Sequence, residues 1–418
     1  MSTSETLSLV PNYSPGYGST PNEDTHNTHK PSSSQTVLHT SPPTPTIRKS
    51  IKIVLTSSKI NILLIFIPLG YLAHIFDLSD NWVFILNFLA IIPLAKLLDF
   101  ATEELSLRVG ETIGGFLNAT FGNAVELIVS VVALMEGEIR VVQASILGSI
   151  ISNLLLILGM CFVAGGIYHE EQKFNQTAAQ TTSSLMTLAC IGLIIPAAFN
   201  FAVGNNNPII DDGITKSGLL DLSRGTAVVL LIIYILYLYF QMKTHSNLYQ
   251  GEEEEDDNDP QLSLGVSIFL LASITVIVSF SADYLVGSIE GIVESSGLSK
   301  TFVGLILIPI VGNAAEFVTA INAAMRNKMD LAVNVSAGSS MQIALFVTPF
   351  LVLLGWAIGQ DMSLYFQSFE TVVLFISILI TNYLIQDGKS NWLEGVMLLA
   401  TYIIISLAFF FYPNDNES

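Results

Sequence analysis

The sequence predicts an all-α polytopic membrane protein of about eleven transmembrane helices, and three observations carry that prediction. Apolar stretches of about 17–25 residues, each able to cross a hydrocarbon core of ~30 Å, recur along the chain after residue 58. Only 12% of the 418 residues are charged and 51% are hydrophobic, against the roughly 25% charged residues of an ordinary soluble domain. A Gly-Asn-Ala-x-Glu segment occurs twice inside those stretches.

In chain order, residues 1–58 are expected to form a disordered tail. The first fifty are rich in Ser, Thr, Pro and Asn, as in Ser41-Pro42-Pro43-Thr44-Pro45-Thr46, and bury too little apolar surface to fold alone. His26, His29 and His39 lie in this tail and read as solvated side chains. No basic region followed by a short apolar run opens the chain, so the first span is expected to direct insertion.

The first helix occupies segment 59–81, with its apolar run at 59–76. Further spans are expected at 82–102, 113–135, 141–166, 181–203 and 225–241, which make residues 82–241 a first five-helix set. An acidic linker, 242–263, carries Glu252, Glu253, Glu254, Glu255, Asp256 and Asp257. It reads as a solvated loop or as a cytosolic segment that attracts cations or gates their entry. Spans at 264–288, 301–325, 331–357, 368–386 and 392–412 make a second set, 264–412, followed by a tail at 413–418.

Basic residues favour the cytosolic ends of short loops. With the N-terminus cytosolic, Lys30, Arg48, Lys49, Lys52, Lys59, Arg108, Lys173, Lys243, Arg326, Lys328 and Lys389 lie inside, against Arg140, Lys216, Arg224 and Lys300 outside. That excess of eleven over four sets the orientation.

The formal charge of −19 and the lack of Lys/Arg clusters exclude nucleic acid as a partner. Cys161 and Cys190 both fall in spans without CxxC spacing, so neither a disulfide framework nor a zinc site is implied. No HExxH motif marks an intramembrane enzyme. Nothing calls for an organic cofactor, and the expected partners are the bilayer and small ions.

Set against itself, the chain pairs Gly122-Asn123-Ala124-Val125-Glu126 with Gly312-Asn313-Ala314-Ala315-Glu316, displaced by 190 positions. At the same displacement Gly114 pairs with Gly304, Leu117 with Leu307, Ala133 with Ala323, Gly148 with Gly338, and Ser149 with Ser339. The copies lie five spans apart, an odd step, so they enter the membrane from opposite sides. Inverted repeats of this kind place a transport site near mid-membrane. Small residues recur in membrane helices simply because they let backbones approach, which accounts for the glycines. A buried glutamate costs at least about 2.5 kcal/mol on insertion scales and needs a function or a partner.

In each copy Gly precedes Glu by four positions, so both lie on one helix face. Gly and Asn weaken the helix and free carbonyl oxygens, and Pro309 loosens the second copy further. Glu126, Glu316, Asn123, Asn313 and the carbonyls near Gly122 and Gly312 form an oxygen-rich set. Such a set suits Ca²⁺, which takes six to eight oxygen ligands; Mn²⁺ also fits and Mg²⁺, slow to shed water, fits less well. Ser149, Ser152 and Asn153 on the fourth span, with Ser339, Ser340 and Gln342 on the ninth, make polar stripes expected to line a hydrated cavity.

Two carboxylates in a low-dielectric site must be neutralised by one divalent cation or by protons. If the bundle changes its facing only when neutralised, exchange of cation for protons follows. Glu103 and Glu104 after the second span, and Asp283 and Glu290 near the end of the seventh, flank the core. Glu103 and Asp283 are candidates to relay protons or draw cations, while Glu370 and Glu394 read as helix-start carboxylates.

The run Ala101-Thr102-Glu103-Glu104-Leu105, the stretch from Gly114 to Glu126 and the segment Gly312 to Glu316 resemble the cation/proton exchanger branch of the calcium/cation antiporter superfamily. The likeness is greatest to its fungal vacuolar Ca²⁺/H⁺ exchangers and covers nearly all of 59–412. It implies a dispensable first helix followed by two inverted five-helix repeats, and export of cytosolic Ca²⁺ into the vacuole driven by the proton gradient. It also implies that Glu126 and Glu316 are the central cation ligands, that Glu103 is an acid on the cytosolic approach, and that Glu252 to Asp257 regulate entry. Where the family often has His after the second motif, this chain has Phe317, so coupling must rest on carboxylates or water. A Na⁺-coupled calcium exchanger could use the same acids. A cation channel would not need an inverted pair of them.

Overall fold

The computed structural model describes residues 47–204, 212–246 and 260–412, which are helical almost throughout. Seven helices are long and apolar enough to cross a bilayer: Asp80–Val109, Ile139–Tyr168, Gln176–Val203, Lys216–Thr244, Leu264–Ser296, Met329–Ile358 and Trp392–Phe410. Two bent pairs, Arg48–Thr56 with Lys59–Ile75 and Lys300–Gly312 with Ala314–Met325, bring the count to nine. The shorter apolar helices Ala124–Met135 and Ser368–Leu384 fall where the third and tenth spans are expected. All are counted among the described residues.

Residues 1–46 of the expected tail lie outside the described residues, and its last part is not a disordered tail: a helix occupies Ile47–Thr56 and meets Lys59–Ile75 at 103°. Its composition explains this. Arg48, Lys49 and Lys52 are exposed, while Val54 packs against the core and its carbonyl accepts from the Asn61 amide at 2.9 Å. Several other helices overrun their expected ends, as Asp80–Val109 and Gln176–Gly204 do, because polar residues continue the helix past the apolar stretch.

The two halves repeat each other in detail. Gly137 and Asn327, 190 positions apart, both have positive φ, at 82° and 60°. Each ends the turn after a glutamate-bearing helix, and Glu138 N–H to Ala133 O recurs as Lys328 N–H to Ala323 O, both at 2.9 Å. Wide π-helical turns sit at Ser152–Ile157 and Ile343–Val347, again at matching positions. The Ser340 hydroxyl donates to the carbonyl of Ile150, its own counterpart in the other half, at 3.3 Å. Equivalent residues touch in this way only close to a pseudo-two-fold axis.

Loop contacts sort into two faces. On the first, Arg108 donates to Pro260 O (3.2 Å), Gln172 to Ala324 O (2.9 Å), and Lys389 pairs with Glu171 (3.0 Å). The two-residue strands β1 (Gln172–Lys173) and β2 (Lys389–Ser390) pair antiparallel there. On the second, Lys300 pairs with Glu138 (3.1 Å) and Glu290 (2.9 Å), and Arg140 with Glu370 (2.8 Å). Alternate connections share a face, as a chain crossing at each span requires. The Glu126 helix therefore runs toward the second face and the Glu316 helix toward the first.

The fourth span lies at the centre, with 83% of its apolar window buried against 28% for the eleventh. Hydrophobicity cannot drive helices together within lipid, so close approach rests on small residues. A Cβ on Gly148 would collide with the Leu305 carbonyl and come within 2.6 Å of Pro309 Cγ. Its repeat counterpart Gly338 has nothing within 4 Å of such an atom. Gly148→Ala is therefore expected to destabilise by about 1–3 kcal/mol through overpacking, and Gly338→Ala to be near neutral. Thermal unfolding of the detergent-solubilised variants measures both.

Candidate cation site

The third span breaks at its motif. The helix Glu111–Phe121 ends, Gly122 and Asn123 form a turn, and Ala124–Met135 resumes. Gly122 N–H still reaches Asn118 O (2.8 Å) and Leu127 N–H reaches Asn123 O (3.0 Å), so the break is confined to two residues. In the eighth span the break at Asn313 bends the axis by 57°. Pro309 stands just before it, directly after a π-helical stretch at Val303–Leu307. A proline lacks the N–H and displaces the carbonyl four residues back, and the wide turns absorb both effects. Glu126 and Glu316 each fall in the first turn of the resumed helix, where the dipole and free N–H groups favour a carboxylate.

The breaks bring the glutamates together. With its amide turned to satisfy its hydrogen bonds, Asn313 donates from one nitrogen to Glu126 Oε1 (2.7 Å) and Glu316 Oε2 (3.2 Å). Its oxygen accepts from Ser152 Oγ at 2.6 Å. The Ser339 hydroxyl lies 3.0 Å from Glu316 Oε1, 2.6 Å from Asn123 Oδ1 and 3.0 Å from Asn153 Nδ2. Gln342 accepts from Asn123 at 2.7 Å. That pair and the Asn313–Ser152 pair are repeat equivalents. Gly312 makes room: a Cβ there would sit 2.8 Å from Glu126 Oε1.

The copies are not equal. Asn313 touches both carboxylates, whereas the Asn123 amide is turned to Gln342 and Ser339 on the ninth span. Glu126 is 6% exposed, while Glu316 and the residues through Thr319 are half-buried. Ser149 and Ser340 are buried beside the site, and the Ser149 carbonyl lies 3.2 Å from the Ser152 hydroxyl. The donors are carboxylates, amides and hydroxyls, a hard-oxygen set. Among the described residues no three His, Cys, Asp or Glu side chains converge.

The flanking acids differ from their expected placement. Glu103 and Glu104 lie within Asp80–Val109 rather than beyond it, because that helix runs on past its apolar stretch. Glu104 is buried and accepts the N–H groups of Gln261 (3.2 Å) and Leu262 (2.8 Å), so it is not a solvated span-end residue. Glu103 is exposed on the first face, near Asp99 and Lys96. Asp283 lies on the opposite side against Glu136, in the turn after the Glu126 helix; burial pushes the Glu136 carboxyl up, and Asp283 adds to the shift. Glu290 pairs with Lys300. Glu370 and Glu394 complete capping boxes with Gln367 and Asn391. Phe317 is half-buried beside the core, and Glu252 to Asp257 lie outside the described residues.

Sequence reasoning missed Lys96, Asp99 and Thr319. Lys96 Nζ lies 2.7 Å from Asp99 Oδ2 and 3.1 Å from Thr319 Oγ1, one turn beyond Glu316. The signal was present, since two opposite charges three residues apart inside an apolar span are a functional pointer in themselves.

The family model described as sodium/calcium exchanger protein matches residues 80–243 and 266–411. A vacuolar calcium ion transporter of Schizosaccharomyces pombe is 54% identical over 87% of this chain and 87% of its own length. A Ca²⁺/H⁺ antiporter of Aphanothece halophytica is 46% identical over 84% of this chain and 96% of its own. The crystal structure of the Ca²⁺/H⁺ antiporter protein YfkE superposes with a TM-score of 0.71 at 35% identity, covering 84% of this chain and 99% of that one. Two antiparallel broken helices with facing glutamates, in a chain matched over both halves, show that this protein belongs to the sodium/calcium exchanger protein family.

Proposed function

We propose that the chain is a secondary antiporter that exchanges cytosolic Ca²⁺ for lumenal H⁺ across the vacuolar membrane. The observation that carries this reading is the single Asn313 amide reaching both Glu126 and Glu316 at the crossing of two antiparallel half-helices. Two carboxylates that close repel each other unless a divalent cation or protons neutralise them. The same oxygens therefore serve both ions in turn, and exchange needs no second site. Asn313 and Asn123, the carbonyls near Gly122 and Gly312, and the hydroxyls of Ser152 and Ser339 supply neutral oxygens; Ser149, Asn153 and Gln342 line the cavity around them. Mn²⁺ is accepted at the same oxygens. With eleven crossings, the excess of Arg and Lys at the first face supports a cytosolic first face and N-terminus. Glu103 then draws cations in, Asp283 serves the lumenal exit, and Glu252 to Asp257 tune access.

In sealed vesicles, an acid-inside pH gradient is expected to drive uptake of radiolabelled Ca²⁺ that collapses with a protonophore and needs no Na⁺. Uptake that ignores the proton gradient and follows a Na⁺ gradient would overturn the reading. Excess Mn²⁺ is expected to compete with Ca²⁺ in the same assay.

A further inference from the structure

Lys96 is the one basic residue of the sequence in the interior of a predicted span, where a charge persists only with a partner or a purpose. Its ammonium joins Asp99 on its own helix (2.7 Å) to Thr319 on the Glu316 helix (3.1 Å). Asp99 and Glu103 lie one turn apart on the second span, as do Glu316 and Thr319 on the eighth. The ammonium thus bridges the two helices at the step between the exposed Glu103 and the inner Glu316. The side chains of Lys96 and Asp99 are 22% and 42% exposed, so an ion arriving from the first face can reach them.

We propose that Lys96 is a specificity-determining residue for the proposed exchange: a tethered cation on the approach to Glu316 that yields to divalent ions and excludes monovalent ones. The reasoning is Coulombic. Attraction to Asp99 doubles for a divalent ion, whereas Na⁺ or K⁺ only matches the charge of an ammonium already held at high local concentration. A flexible four-carbon stem lets the ammonium swing aside once displaced. A purely structural ion pair would affect how much protein folds and would leave ion preference untouched.

The test compares wild type, Lys96→Met, Lys96→Arg and Thr319→Val, measuring Ca²⁺ uptake into vesicles with the Glu103 face outward, with and without excess K⁺. Lys96→Met is expected to lower the apparent KM for Ca²⁺ by about threefold or more and to make uptake sensitive to K⁺. Lys96→Arg is expected to behave as wild type. Thr319→Val, which releases one anchor and keeps both charges, is expected to shift KM in the same direction by less, and it carries the test if Lys96→Met does not fold. Unchanged KM and K⁺ insensitivity in the folded variants overturn the proposal. Calorimetric Ca²⁺ titration of the solubilised proteins, with and without K⁺, reads the same preference without flux. Failure of wild-type exchange is thereby separated from failure of the Lys96 role.

Discussion

Glu126→Gln and Glu316→Gln are each expected to abolish Ca²⁺ uptake driven by a pH gradient, leaving no flux above that of empty vesicles. Glutamine keeps the volume and one oxygen of the carboxylate and loses the charge, so the site can no longer alternate between a divalent cation and protons. One carboxylate alone would leave a bound Ca²⁺ with net charge in a low-dielectric site, where transfer is opposed by several kcal/mol. Stability is expected to be unchanged or raised, because each substitution removes one of two mutually repelling charges and Asn313 retains an oxygen to bond. Uptake at the wild-type rate in either folded variant would remove that glutamate from the mechanism.

Arg140→Met is expected to cause the largest loss of stability, about 3–5 kcal/mol, the usual consequence of stranding one member of a buried ion pair. Glu370 is fully buried, and the guanidinium meets it through Nη2 to Oε1 (2.8 Å) and Nη1 to Oε2 (3.4 Å). Arg140 opens the fourth span while Glu370 opens the tenth, and Thr301 at the start of the eighth lies 3.4 Å from Nη2. The cluster therefore ties the two halves together on the second face. Glu370→Gln is expected to cost less, because Arg140 is 30% exposed and keeps access to water. The double variant is expected to recover part of the loss seen in Arg140→Met. Thermal unfolding of the three proteins checks the order, and an Arg140→Met melting point equal to wild type would refute it.

Much of the architecture was legible because membrane helices advertise themselves through long apolar runs, and inverted repeats through a fixed displacement. The candidate site was half legible. Glu126 and Glu316 stood out as acids in apolar spans, and the Ser152 and Ser339 stripes followed from helical spacing. What Asn313 does was hidden, since Asn123 carries the same residue in the same motif. In the folded chain Gly312 lies against Glu126 and Asn313 reaches both carboxylates. Glu370 and Arg140 read separately as a helix-start acid and a loop base, and their partnership spans 230 positions.

The sequence by itself determined the helical class, the duplication at 190 positions and the antiparallel sense of the copies, because these follow from local hydrophobicity and from counting spans. Tertiary structure alone decided that Lys96 meets Thr319, that Glu104 anchors the chain at Gln261 and Leu262, and that the ninth span holds Asn123 while the fourth supports Asn313. The reason is physical. Inside a bilayer apolar surface has no preferred partner, so which helices touch is set by glycine clearances and by polar groups that must find one another.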